Sequence, residues 1–329
     1  MKTNTTPYRQ PLQDEELFTR HSANPILKEE DWPYAVHSVF NPGAVRLTDS
    51  GETLLLARVE DRRGLSHLCA ARSADGISNW TIDPTPTLLP DRESRPEEFW
   101  GLEDPRITWI PEWQQYAVVC TAFSQGGPGV SLKTTSDFKT FDHYGMVMPP
   151  EDKDAALFPV RFGGHWAMIH RPALASGQAN IWISFSSDLR HWGSHRVILS
   201  AREGGWWDAR KIGLCTPPIR TEEGWLLLYH GVRTTASGSL YRVGLALLDL
   251  EDPVKVLYRG DKWVFGPTES YERVGDVRDV VFPCGTVLDD DGDTLKIYYG
   301  GADTCIGLAT VSLRQMLAWL KAHDYTGTA

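Results

Sequence analysis

The sequence predicts an all-β protein, a five-bladed β-propeller with a short C-terminal helix, and two observations lead to this prediction. Prolines open a β-rich run five times, at Pro42, Pro105, Pro159, Pro217 and Pro283. The intervals of roughly 54 to 66 residues between them are typical of propeller blades. A turn and a second apolar run follow each opening, and no alternation of strands with helices interrupts the pattern.

The repeat then divides the chain in order. We expect one domain over residues 1–329, with blades that open near residues 41, 103, 157, 215 and 281. A polar lead-in precedes the first blade, and Asn24, Pro25 and Ile26 are expected to start the closure of the ring. A helix is predicted over residues 312–323, because Ser312 can cap a segment with apolar residues at helical spacing. This helix packs either on the propeller or on another subunit, which leaves a homo-oligomer open.

Charge and hydropathy narrow the class of partner. The formal net charge of -10, with no basic run, argues against nucleic acid or an anionic membrane surface. The amino terminus lacks the apolar core of a signal peptide, and no apolar run is long enough to span a bilayer. We therefore expect a cytoplasmic protein in which any anionic ligand meets local positive charge.

The cysteine and acidic patterns indicate no metal site. Five scattered cysteines show no Cys-x-x-Cys spacing, so neither a disulfide framework nor a zinc site is expected. The acidic run at residues 289–293 is typical of a hairpin turn, because it lacks the later glutamate of a calcium-binding loop.

The stretch GLEDPR, residues 101–106, is the first candidate for chemistry. Pro105 fixes its own φ and should hold Asp104 extended at a rigid strand entrance. Arg106 is expected to keep one of the two acids ionised, which leaves the other free to exchange a proton. Taken alone, this pattern is more often a solvated turn with a surface ion pair.

Other polar residues recur at equivalent positions of the repeat, directly after apolar runs. Such positions point toward one end of a propeller axis, so we predict a convergent polar cluster there. The alternatives are that Arg58 pairs only with Asp61, and that His170 is a satisfied core histidine. The cluster comprises Asn41, Arg58, Asp61, Asp104, His170, Arg171, Lys211, His230 and Asp303.

The chain resembles glycoside hydrolase family 130, the β-mannoside phosphorylases, from about Asn24 to about Leu317. The resemblance rests on motifs that occur in the family's order, which makes it far more specific than a lone EDPR. They are FNPGA, LARVED, GLEDPR, KDAALFP, MIHRP, RKIG, LLYHGV, LYRVGLALLDL, CGTVL and GGADT.

The resemblance implies that a β-mannosidic bond is cleaved by inorganic phosphate, with inversion, to give α-mannose 1-phosphate and a shortened sugar. Asp104 matches the general acid, which acts through the mannose 3-hydroxyl. Asn41, Arg58 and Asp303 match sugar-binding residues, and we add Asp61 and Tyr241 to the expected substrate-binding set. The residues that match the phosphate-binding set are Lys153, Arg171, Lys211 and His230. Phosphate is a co-substrate, and no cofactor or metal is expected.

The residue chemistry agrees with this implication. Inverting cleavage needs an acid on one face of the sugar and a nucleophile on the other, and phosphate is already a competent nucleophile. A second carboxylate base is therefore not required, whereas a cluster of cations is.

Three alternatives remain open at this point. A β-mannoside hydrolase on the same fold would use a water-activating carboxylate such as Glu203 or Asp208. A glycosidase of the arabinanase kind would use three separated carboxylates, with Asp104 and Asp303 among them. A non-catalytic sugar-binding propeller would explain the 13 tryptophans without the cations. The linkage, β-1,2 or β-1,4, and the acceptor sugar depend on rim loops such as residues 91–99 and 203–207.

Overall fold

The structure, a computed structural model, describes residues 17–174, 177–236 and 238–326. Within these ranges the chain is nearly all-β, with two short α-helices and two 3-10 turns at Glu29–Asp31 and Pro96–Glu98. The prediction of an all-β protein is confirmed. The first part of the predicted polar lead-in, residues 1–16, lies outside the described residues.

The strands form five antiparallel units in chain order, after a short initial strand β1 (Thr19–Arg20). The first two units meet through one parallel bridge, between Ser66 and Gly101, and thereby share a sheet. The first unit contains β2 (Ser38–Arg46), β3 (Thr53–Glu60), β4 (Ser66–Ser73) and β5 (Thr81–Ile82). The second contains β6 (Gly101–Ile110), β7 (Gln115–Ser124), β8 (Gly127–Thr135) and β9 (Asp142–Met148).

The remaining units repeat this hairpin succession, and the fourth has a divided first strand. The third contains β10 (Asp152–Phe162), β11 (His165–Pro172), β12 (Ile181–Ser186) and β13 (Gly193–Leu199). The fourth contains β14 (Lys211–Leu214), β15 (Ile219–Arg220), β16 (Trp225–Thr235), β17 (Gly238–Leu248) and β18 (Val256–Arg259). The fifth contains β19 (Val281–Leu288), β20 (Thr294–Gly301) and β21 (Cys305–Ser312).

The beginning of the described chain completes the fifth unit. Strand β1 pairs antiparallel with β21. Beyond it, Asn24 Nδ2 donates to the Leu308 carbonyl at 2.8 Å, and the Leu308 amide donates to Asn24 Oδ1 at 2.9 Å. The first and last strands of the described residues are therefore joined in one sheet, and Asn24 is hydrogen-bonded at their junction.

Bulges in the first strands of the first three units direct polar side chains out of the hydrogen-bond ladder. The register of each pair shifts beside Asn41, Asp104 and Asp154. These residues have φ values of 46°, 48° and 54°, in the left-handed region that Asn and Asp tolerate better than most residues. The expectation of an extended Asp104 is therefore wrong, because the bulge overrides the preference that Pro105 imposes.

The two α-helices are α1 (Ser270–Arg273) and α2 (Leu313–Ala322). Helix α2 begins where Ser312 Oγ accepts a hydrogen bond from the Gln315 amide at 3.2 Å. Its buried residues Leu313, Met316 and Leu320 belong to one apolar cluster with strands of the fourth and fifth units. The helix thus packs on the body of the protein. No described helix has the length and apolarity needed to cross a membrane.

Candidate active site

Nearly all of the predicted site residues line one small cavity of about 170 Å³, called here the polar cavity. Each of the five units contributes at least one side chain to it. Its acid side comprises Asn41, Arg58, Asp104 and Asp303, and its cation side comprises Lys153, Arg171, Lys211 and His230, with Tyr241 next to Lys211.

Asp104 is the most tightly held carboxylate of the acid side, and it is buried. Its Oδ1 accepts hydrogen bonds from Asn41 Nδ2 at 2.9 Å and from Arg58 Nη1 at 3.2 Å. Lys153 Nζ lies 3.9 Å from Oδ2. Burial favours the neutral acid, but the positive charges of Arg58 and Lys153 outweigh it and lower the pKa of Asp104 below its ordinary value. Asp104 is therefore ionised in the substrate-free cavity at neutral pH.

Arg58 is shared among several carboxylates. Its Nη2 lies 3.0 Å from Glu60 Oε2 and 3.1 Å from Glu103 Oε1, in addition to the contact of Nη1 with Asp104. One alternative was that Arg58 pairs only with Asp61, and these contacts show that it is wrong. Asp61 instead binds Arg63, with 2.7 Å between Oδ2 and Nη2, and lies outside the polar cavity. The prediction that Asp61 joins the cluster is wrong, because the turn after β3 points its carboxylate toward Arg63.

Asp303 differs from Asp104 in its protonation. Burial, followed by the nearby negative charge of Asp104, raises the pKa of Asp303 to about 7. The residue has a left-handed φ of 56°, in the turn between β20 and β21. The acid side of the cavity thus holds one ionised carboxylate, Asp104, and one carboxyl, Asp303, that is only partly ionised at pH 7.

The cation side is built around a carboxylate that the sequence analysis missed. Asp154 is buried, and its Oδ2 lies 2.7 Å from Arg171 Nε and 3.5 Å from His230 Nε2. The charges of Arg171 and other neighbours keep the pKa of Asp154 well below its ordinary value despite burial. One signal was available: Asp154 follows Lys153 at the same place in its strand that Asn41 and Asp104 occupy in theirs.

Two predicted phosphate-binding residues have a lowered pKa. Burial and the charge of Arg171 lower the pKa of Lys211, whose Nζ lies 5.5 Å from the centre of the Tyr241 ring. Burial lowers the pKa of His230 to about 3, although Asp154 acts in the opposite direction. His230 is therefore a neutral imidazole at pH 7, and its assignment to a cationic cluster is corrected to that of a hydrogen-bonding group.

Arg106 has another role than the one expected for it. Its guanidinium is buried and donates to the carbonyl oxygens of Cys215 at 2.8 Å, Leu214 at 2.9 Å and Asp104 at 2.9 Å. Arg106 also forms an ion pair with Asp154, with 3.6 Å between Nη2 and Oδ1. Arg106 thus ties the second unit to the fourth and fixes the backbone of Asp104, while Arg58 provides the direct charge on the carboxylate.

Other candidate residues lie elsewhere. His170 is buried between Asp152 Oδ2 at 2.6 Å and Ser184 Oγ at 2.7 Å, which confirms the interpretation as a satisfied core histidine. Asp208 is buried and accepts from Arg259 at 2.8 Å and Arg202 at 3.1 Å. Glu203 lines a separate groove. The part of the chain that the structure describes contains no group of three or more His, Cys, Asp or Glu suited to a metal ion.

The five units of the all-β scaffold converge on one small cavity with carboxyls on one side and cations on the other, which is the arrangement expected of an enzyme class that combines a proton donor with an anion-binding group. Comparison with known proteins agrees with this class. The family model for β-1,4-mannooligosaccharide phosphorylases matches residues 15–322. The chain belongs to glycoside hydrolase family 130.

Several relatives are similar over nearly their whole length. A β-1,4-mannooligosaccharide phosphorylase of Ruminococcus albus is 34% identical over 321 residues, which cover 95% of this chain and 94% of the relative. The solved structure of a β-1,2-mannobiose phosphorylase from Listeria innocua, in complex with β-1,2-mannobiose, has a TM-score of 0.83 and 34% identity. The similarity covers 93% of this chain and 99% of that one.

The family also contains hydrolases. A second solved structure has a TM-score of 0.79 and 26% identity. It comes from work on family members that are glycoside hydrolases targeting β-1,2 mannosidic linkages in Candida mannan. The similarity covers 93% of this chain and 96% of that one. Membership of the family therefore leaves two reactions to be distinguished by the site.

Proposed function

We propose that this protein is an inverting β-mannoside phosphorylase, which converts a β-mannoside and inorganic phosphate into α-mannose 1-phosphate and a shortened sugar. The observation that carries the proposal is the polar cavity, in which Asp104 and the cations Lys153, Arg171 and Lys211 line the same small space. An acid and a bound dianion are the two groups that inverting phosphorolysis needs. The similarity to named phosphorylases supports the same reaction.

The proposal assumes that the protein is a single-domain, five-bladed propeller in which each of the five antiparallel units is one blade. Strand β2 contacts both β6 and β19, and β10 contacts both β6 and β14. The first strands therefore adjoin one another around the polar cavity, and the pairing of β1 with β21 closes the last blade.

In the proposed mechanism, the mannose ring lies on the acid side and phosphate binds on the cation side. The arriving dianion offsets the positive charge of Lys153, which otherwise helps to keep Asp104 ionised. Phosphate binding thereby raises the pKa of Asp104, which takes up a proton from solvent and becomes the acid. A phosphate oxygen then forms a bond to C1 while the bond to the leaving oxygen breaks, and that oxygen takes the proton of Asp104. The proton still carried by the new phosphate ester returns to Asp104 or to solvent.

The cavity favours phosphorolysis over hydrolysis by water. A hydrolase needs a carboxylate base that reaches a water molecule on the face opposite the acid. Glu203 and Asp208 do not line the polar cavity, and Asp208 is engaged by two arginines. Asp154 also lines the polar cavity, but its Oδ2 is held by Arg171 at 2.7 Å and its Oδ1 lies 3.6 Å from Arg106. These charges keep the pKa of Asp154 well below its ordinary value, which makes it a weak base toward water. The arabinanase-like arrangement of three carboxylates is disfavoured on the same ground, because the third carboxylate of the cavity, beside Asp104 and Asp303, would be Asp154.

The proposal is tested by incubating the protein with β-1,2- and β-1,4-linked mannobioses, with and without phosphate. We expect ³¹P NMR to show α-mannose 1-phosphate with at least one of these sugars, and no turnover in the absence of phosphate. Free mannose released at the same rate with and without phosphate would overturn the assignment in favour of the hydrolase. The linkage and acceptor preference are read from the same panel. The absence of a cofactor, the cytoplasmic location and the oligomeric state remain predictions.

A further inference from the structure

The third unit contains a row of hydrogen-bonded polar side chains that the mechanism above does not use, called here the polar row. Each of its four strands contributes one member: Asp152 on β10, His170 on β11, Ser184 on β12 and His195 on β13. Asp152, His170 and Ser184 are buried, whereas His195 is exposed. The polar row therefore crosses the whole unit, from its first strand to the protein surface.

Short contacts join the polar row from end to end. His170 Nδ1 lies 2.6 Å from Asp152 Oδ2, and His170 Nε2 lies 2.7 Å from Ser184 Oγ. Ser184 Oγ lies in turn 2.6 Å from His195 Nδ1. One arrangement of hydrogens satisfies all three contacts: His195 Nδ1 donates to Ser184 Oγ, Ser184 Oγ donates to His170 Nε2, and His170 Nδ1 donates to Asp152. Each member of the row thus fixes the orientation of the next.

Asp152 connects the polar row to the cation side of the polar cavity. Its Oδ1 accepts a hydrogen bond from the Arg171 amide at 3.1 Å. Arg171 lies directly opposite Lys153 in the pairing of β10 with β11, and theirs is the last pair before the bulge at Asp154. The bulge interrupts the backbone ladder between the two strands. The hydrogen bond from Arg171 to Asp152 therefore holds the strands together beside the point where the proposed phosphate-binding side chains leave them.

The first two units show that the fold does not require polar groups at these positions. The bulges align the first three units, so the residue two positions before each bulge can be compared, as can the residue that precedes the last ladder partner. In the third unit these residues are Asp152 and His170. In the first two units the corresponding residues are buried and largely apolar, and they are Val39, Ala57, Leu102 and Cys120.

Burial of a carboxylate and an imidazole costs more free energy than burial of apolar side chains, and it is tolerated only when the polar groups are hydrogen-bonded. Among these three units, Asp152 and His170 occur in the one that carries Lys153 and Arg171. Their position therefore points to a role in the cation side of the cavity.

Resting on the proposed function, we propose that Asp152, His170 and Ser184 are positioning residues for phosphate binding. They do not line the polar cavity. They act through Arg171 and Lys153, by holding the backbone of both residues so that the two cations face the same anion. A site whose ligands are fixed in advance loses less binding free energy to ordering. The acid side is built by other units, so the polar row should affect phosphate and not mannoside.

The test compares the KM for phosphate with the KM for mannobiose in wild type and in His170→Ala. Without the imidazole, Asp152 is no longer held against the Arg171 amide. The KM for phosphate should therefore rise by about threefold to tenfold, the effect of about one lost hydrogen bond, while the KM for mannobiose stays close to its wild-type value.

A conservative variant checks the direction of the effect. His170→Asn retains an amide donor close to the place of Nδ1, so it should recover most of the affinity for phosphate. A merely structural role of His170 would affect both substrates alike. If His170→Asn is as impaired toward phosphate as His170→Ala, the link to Asp152 is not what positions Arg171, and the proposal is overturned.

A matched pair of serine variants decides the question even if His170→Ala does not fold. Ser184 and Ser186 are both buried on β12, two residues apart and hence on the same face of the strand. Ser186 Oγ lies outside the polar row and accepts a hydrogen bond from the Leu189 amide at 2.8 Å. Ser184→Ala should raise the KM for phosphate by about twofold to fourfold, and Ser186→Ala should leave it unchanged.

The failure of this inference is distinguishable from that of the proposed function. Suppose that wild type cleaves mannobiose in a phosphate-dependent reaction. If the polar-row variants then leave the KM for phosphate unchanged, raise both KM values equally, or act no differently from Ser186→Ala, the positioning role is refuted and the phosphorylase assignment stands. If no mannoside is cleaved in a phosphate-dependent reaction, both proposals fall together.

Discussion

The two sides of the polar cavity have opposite charge arrangements, with carboxylates around one cation on the acid side and cations around one carboxylate on the cation side. On the acid side, one cation, Arg58, is surrounded by Glu60, Glu103 and Asp104 at 3.0 to 3.2 Å. On the cation side, one carboxylate, Asp154, lies 2.7 Å from Arg171 and 3.6 Å from Arg106. The two sides therefore differ in which charge is in excess, and each excess suits a different ligand. Excess carboxylate keeps a proton in the cavity, whereas excess positive charge attracts an anion even though the protein's net charge is -10.

The largest change is expected from removal of the acid. Asp104→Asn keeps the shape of the side chain and its contact with Arg58, but it carries no transferable proton. Turnover should fall by about a hundredfold or more, while the protein still binds mannoside. Initial rates of mannose 1-phosphate formation, together with calorimetric binding of mannobiose, measure the two quantities. Near-normal turnover would transfer the role of acid to another carboxyl.

A smaller and more selective change is expected on the cation side. On the proposed function, Arg171→Ala and Lys211→Ala should each remove one charge-assisted contact with phosphate, which is worth about 1.5–3 kcal/mol, or roughly tenfold to a hundredfold in binding. The KM for phosphate should rise by that factor, and the KM for mannoside should change much less. Steady-state kinetics with each substrate varied in turn provide the check. Equal increases in both KM values would mean that the two sides do not bind separate substrates.

The smallest expected effect concerns stability and comes from Asp303. Because the pKa of Asp303 is raised to about 7, the folded protein keeps a proton that the unfolded chain releases from about pH 4 upward. The folded state therefore loses stability as pH rises from about 4 to 7. Asp303→Asn lacks this penalty, so its Tm relative to wild type should be higher at pH 8 than at pH 5, by roughly a few degrees.

Thermal unfolding at the two pH values measures this shift, and Asp290→Asn is a suitable control because Asp290 is exposed and its partner, Arg46 at 2.6 Å, is not a histidine. A Tm difference for Asp303→Asn that does not depend on pH would show that Asp303 is ionised throughout this range.

The residues that line the polar cavity were largely predictable from sequence because polar groups follow apolar strand runs at a fixed place in each repeat. Arg171 and Asp303 were found in this way, and Asp104 was found in the stretch GLEDPR at the opening of a blade. The pattern failed at Asp61, where one residue's position in a turn decides which way the carboxylate points.

The protonation states could not be predicted, since they depend on burial and on neighbours distant in sequence. His230 follows an apolar run as the other site residues do, yet burial makes it neutral. Arg106 adjoins Asp104 in sequence, but its guanidinium binds carbonyl oxygens more than a hundred residues away, at Leu214 and Cys215. The bulges at Asn41, Asp104 and Asp154 likewise appear only in the backbone geometry.

The central claim is that one cavity holds a sugar beside an acid and a phosphate beside cations, so that the reaction runs in both directions with inversion. It is tested most directly by supplying α-mannose 1-phosphate and an acceptor sugar, such as mannose, and measuring released inorganic phosphate. We predict that phosphate and a β-linked disaccharide form in equal amounts, and that β-mannose 1-phosphate is not a substrate. If α-mannose 1-phosphate releases no phosphate with any of mannose, glucose and N-acetylglucosamine, or if the β anomer reacts equally well, the account is contradicted.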